Sequence, residues 1–178
     1  MDQATLVSWH DFYVTMGTAS ASLIGLLFVA LSINLDAVTG PSRDDLRAYA
    51  EQAFSSFSLV LLIAVLFLIP TGGPSSIGIA YLVLAVGAGA RMLRRAPTVW
   101  RALEQGQLGA ALFWRFILPV AALIGLFASG VGLVTGEPSA LYWLVAVIIG
   151  LLMSAARSAW DLLLTVSEDR RSSSGVGA

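Results

Sequence analysis

Five long stretches that are almost free of charge constrain this chain more than any other feature. A hydrocarbon core about 30 Å thick is crossed by roughly 20 apolar residues in helix, so such stretches can be counted as spans. They lie at about 12–35, 53–69, 75–93, 112–134 and 141–164. Only helices and closed barrels satisfy their own backbone groups in lipid, and runs of this length are helical. The expected fold is therefore all-α, an integral membrane bundle of five transmembrane helices.

Composition agrees. Charged residues make up 12% of the chain and apolar ones 57%, with a mean hydropathy of +0.84, where a soluble domain is roughly a quarter charged. Cysteine is absent, which removes disulfides, thiolate metal sites and thiol redox chemistry. The net charge of −1 gives no electrostatic reason to expect nucleic acid as a partner.

The spans differ in character. The first is 24 residues long, FYVTMGTASASLIGLLFVALSINL, and is the least greasy of the set. No arginine precedes Arg43, so the positive flank of a secretory signal is missing and the run reads as a span. The second, ended by Pro70, holds the most hydrophobic stretch of the chain, Leu59 to Ile69, and is expected to meet lipid. The third is short and glycine-rich, its apolar part stopping at Arg91, whose long stem can snorkel. Pro119, near the start of the fourth, should kink or restart that helix. The fifth is expected to continue past Arg157 to Leu164.

All ten arginines fall on one side of these spans, together with eight of the eleven acids, while the other side keeps only Asp2, Asp11 and Glu137. Positive residues stay in the cytoplasm, which puts the amino terminus outside and the carboxyl terminus inside, as five crossings require. The outer turns, PTGGPSS and TGEPSA, are built from Pro, Gly and Ser. Trp9, Phe12, Tyr13, Tyr142 and Trp143 mark the outer interface, and Tyr49, Trp100, Trp114 and Trp160 the inner one. On the inner side a helical stem over 42–52, capped by Ser42 and Asp45, should project into the cytoplasm. Residues 97–111 fit an interfacial amphipathic segment, and 167–178 a disordered tail. Residues 1–166 then form a single transmembrane bundle. The arginine-only, alanine-rich composition suits a bacterial cytoplasmic membrane.

Three constellations could carry function. The first span bears Thr15, Thr18, Ser22, Gly25, Val29, Ser32 and Asp36 at alternating spacings of three and four, which places them on one helical face. Such a face can line a water-filled path with Asp36 at its mouth, or let helices pack closely through small residues, as the neighbouring Gly17, Ala21 and Gly25 suggest. Near the inner interface, Glu51, Arg91, Arg115, Arg157 and Asp161 join Asp36 in an ionic group that reads either as a vestibule or as helix ends neutralising one another. His10 and Asp11 form a pair able to titrate near neutral pH, or a simple interfacial anchor.

Enzyme signatures are missing. One histidine supports neither a triad nor a zinc or bis-histidine haem site, and there is no P-loop, H-E-x-x-H or G-x-S-x-G. The chain is expected to be no enzyme, to need no cofactor or metal, and to contact the lipid bilayer and further copies of itself. Five short helices leave little room for a pore, so several copies lining a conduit with their first helices is the leading expectation. A modulator or subunit that binds another membrane protein is the alternative.

Overall fold

The computed structural model describes residues 3–33, 44–70, 73–94, 117–137 and 139–175, with side-chain surroundings for 9–33, 46–70, 73–94, 117–137 and 139–164. All of its regular structure there is helical: α1 (Gln3–Ile33), α2 (Asp44–Leu68), α3 (Pro74–Leu93), α4 (Leu118–Thr135) and α5 (Ala140–Gly175). Each is long and apolar enough to span a membrane.

The punctuation follows from the local sequence. Pro70 cannot continue α2, and Gly73 takes φ 145° before Pro74 opens α3, where its missing N–H is no loss. Pro119 likewise sits in the first turn of α4, where its missing N–H costs little, and Ile117 just before the element has helical φ and ψ. Residues 112–116 of the expected fourth span lie outside the described residues. α4 closes on Gly136 in the left-handed region at φ 85°, and Glu137 N–H donates back to the Gly132 carbonyl at 2.8 Å. That is the longer of the two bonds of a Schellman cap, the Gly136 N–H donating to the same carbonyl, and glycine takes this φ without strain.

Neighbours along the bundle run α1, α2, α5, α4, α3, with α3 returning to touch α2 over a short length. α2 and α5 are the most buried helices and α1 the least. Close approach rests on small residues, as expected where apolar side chains gain nothing by leaving lipid. A Cβ on Gly17 would lie 3.1 Å from the Ala64 Cβ at the α1–α2 contact, and one on Gly132 would lie 2.8 Å from the Ala140 Cβ at the α4–α5 turn.

Four expectations are corrected. The stretch Leu59 to Ile69 does not chiefly meet lipid: Leu59, Val60, Ile63, Ala64 and Phe67 are buried in the main core, leaving Leu62, Val65 and Ile69 outward. The stem before it does not project freely. Leu46, Ala50 and Ala53 pack with Leu27 of α1 and with Ala155 and Leu162 of α5, because α1 and α5 extend far enough to cover it. Tyr13 is no interface anchor but fully buried, stacked on Phe67 with ring centroids 3.9 Å apart. Finally, α5 continues to Gly175, through most of the segment expected to lack structure. Once a long helix exists, each added residue costs no new nucleation.

Candidate functional site

Every described member of the α1 stripe points away from the bundle. Thr15, Thr18, Ser22, Gly25, Val29 and Ser32 are all exposed, and a Cβ on Gly25 would meet nothing within 4 Å. Gly17 alone of the adjoining small-residue row is used for packing inside the chain, since Ala21 is exposed as well. Asp36 lies outside the described residues.

Three of the four hydroxyls on this face are tied to their own helix. Thr15 Oγ1 donates to the Asp11 carbonyl at 2.7 Å, Ser22 Oγ to Thr18 at 2.9 Å and Ser32 Oγ to Val29 at 2.9 Å. With its proton placed in the preceding turn, each oxygen still offers lone pairs outward. The face can therefore sit in lipid, yet accept a hydrogen bond from water, a hydrated cation or a neighbouring chain.

Among the described residues no charged side chain is buried, and the buried polar ones are Ser20, Ser56, Ser129, Ser154 and Ser158. Two of the polar contacts join helices: Ser20 Oγ donates to the Phe57 carbonyl at 2.9 Å, and Tyr81 Oη to the Ile63 carbonyl at 3.0 Å. The Tyr13 hydroxyl has that of Tyr81 as its polar neighbour, and the Ser129 hydroxyl is buried without a protein partner. Span position alone did not reveal these hydroxyls, because hydroxyl groups are common on lipid-buried helices.

At the arginine-bearing end the described side chains include two ion pairs within single helices. Arg47 Nε lies 3.1 Å from Glu51 Oε1, and Arg157 Nε 3.3 Å from Asp161 Oδ1, each pair one turn apart on its own helix. Arg91 turns to α2, its guanidinium 3.5 Å from Ser55 Oγ. Arg115 lies outside the described residues. At the opposite end His10 Nδ1 and Asp11 Oδ1 are 3.3 Å apart and well exposed, close to the edge-to-face contact of Trp9 with Tyr142. No three His, Asp or Glu side chains converge to hold a metal among the described residues.

An outward-facing groove of about 580 Å³ runs between α4 and α5. Its floor is Ala121, Gly125, Ala128 and Gly132 of α4 against Ala146 and Gly150 of α5. The spacing of four and three in AALIGLFASGVG carries the signal for this groove in the sequence.

These features define a multi-pass helical membrane protein. No family model, curated protein or solved structure matches the chain.

Proposed function

We propose that the protein is a non-catalytic membrane protein whose copies assemble into a conduit for ions or small polar solutes, with α1 of each copy lining the path. One observation supports this above others: the hydroxyl-bearing face of α1 turns away from an interior that buries no described charge. A polar strip on the outside of one bundle becomes the wall of a wet path when copies surround an axis. In this reading the arginine side is cytoplasmic and the amino terminus external, in a bacterial inner membrane.

The second reading, a subunit or modulator that binds another membrane protein through the same face, draws on the back-bonded hydroxyls. Their protons are already placed, so the strip can meet a partner helix as well as water.

With no native cysteine to remove, single cysteines at Thr15, Thr18, Ser22 and Ser32, and at Leu23 and Leu26 beside them, can be probed with a membrane-impermeant thiol reagent in sealed vesicles. The conduit requires labelling confined to the strip, together with solute flux from purified protein in liposomes. Uniform protection and no flux would leave the partner reading standing.

A further inference from the structure

We propose that Arg91 and Arg94, with the Ser55 hydroxyl between α2 and α3, form a site for the phosphate of an anionic phospholipid, whose acyl chain lies along Gly87. The inference is independent of the conduit.

The first ground is charge. Of the arginines whose surroundings are described, Arg47 and Arg157 each have a carboxylate one turn away. α3 contains no acid at all, and among the described residues Arg91 has Ser55 as its side-chain partner while Arg94 is paired with no carboxylate. Three residues apart on a helix, the two guanidiniums share a face and can close on one phosphate.

The second ground is depth. Ser55 stands thirteen residues from Leu68 along α2, and Arg91 seventeen from Pro74 along α3. At 1.5 Å per residue these are about 20 Å and about 26 Å from the hairpin that joins the two helices. By reaching Ser55, Arg91 is drawn back toward the hydrocarbon, the opposite of snorkelling to water. A cation held there is costly without a counter-charge at the same level, and a lipid phosphate supplies one.

The third ground is space. An arginine on a helix leans over the preceding turn, which here is Gly87 and Ala88. A Cβ on Gly87, four residues before Arg91 on the same helical face, would meet nothing within 4 Å, so space lies open beneath the guanidinium. The sparse α2–α3 contact leaves that space unfilled by a neighbouring helix.

The test is native mass spectrometry of the full chain, released from detergent with added phosphatidylglycerol, phosphatidylcholine or inorganic phosphate. Retention of phosphatidylglycerol over phosphatidylcholine is expected to fall about fivefold for Arg91→Gln or Arg94→Gln and roughly thirtyfold for both together. Gly87→Leu, which fills that space without touching the bundle, should also lower it and serves if the double variant does not stay monodisperse. Arg47→Gln, at a paired arginine, should leave retention near that of the unmodified chain. The proposal fails if the two lipids are retained equally, if the double variant or Gly87→Leu keeps phosphatidylglycerol, or if Arg47→Gln loses as much as the single α3 variants. Displacement of the lipid by millimolar inorganic phosphate would assign the site to a soluble anion instead and overturn the lipid.

Discussion

Gly78 of α3 and Gly130 of α4 meet backbone to backbone: a Cβ on Gly78 would stand 2.8 Å from the Gly130 carbonyl oxygen and 3.0 Å from the Leu133 Cβ. Neither neighbour is a flexible side-chain end. Gly78→Ala must therefore push the two helices apart, at about 1–3 kcal/mol. Gly87→Ala on the same helix meets open space and should gain up to about 1 kcal/mol from helix propensity. Denaturant titrations in detergent, followed by circular dichroism, compare the two. Equal midpoints would remove the close contact as a source of stability.

The two buried tyrosines should respond to different degrees. Tyr81→Phe gives up the bond to the Ile63 carbonyl and should cost about 0.5–1.5 kcal/mol. Tyr13→Phe deletes a fully buried hydroxyl whose polar neighbour is the Tyr81 hydroxyl, keeps the stacking on Phe67, and should cost less than Tyr81→Phe. The same titration reads both, and a loss at Tyr13 larger than at Tyr81 would contradict the bonding described.

On the α1 strip, stability and function should part company. Thr18→Leu combined with Ser22→Leu removes two exposed hydroxyl groups and should shift stability by no more than about 0.5 kcal/mol. Under the proposed function it should nonetheless abolish flux in liposomes or lower the mass of the detergent-solubilised assembly. Unchanged flux and mass would detach the strip from assembly.

Arg157 and Asp161 sit partly exposed, with the acid C-terminal to the base, the weaker order for a helical pair. Arg157→Gln should cost less than about 0.5 kcal/mol and the difference should shrink further in high salt. A loss of several kcal/mol would mean that this arginine is held in a desolvated network.

The spans, their proline and glycine ends and the absence of charge inside them were legible from the sequence, because lipid leaves a chain few ways to satisfy its backbone. Which helix stands beside which was not. In water the greasiest helix would be inside by hydrophobicity alone, but in lipid Leu62 on the outer face of α2 is as well solvated as Ile63 on the inner one. Burial is decided instead by where surfaces fit, as at Gly17 against Ala64, and that depends on two elements at once. The strip on α1 could be found by its spacing. Its outward direction could not, since the same pattern suits a packed face and a bare one. The Arg91–Ser55 contact was beyond reach for a similar reason: it joins residues 36 apart whose levels match only once the hairpin is built.

Attachment of α1 chiefly through α2 separates two kinds of selection on this protein. Mutations along the outer side of the first helix leave foldability nearly untouched, so that side can drift or specialise under the demands of whatever it meets. Changes at the glycine crossings of the other helices are purged by folding itself. Diversity among descendants of this gene should therefore concentrate on one side of one helix, whatever task that side performs.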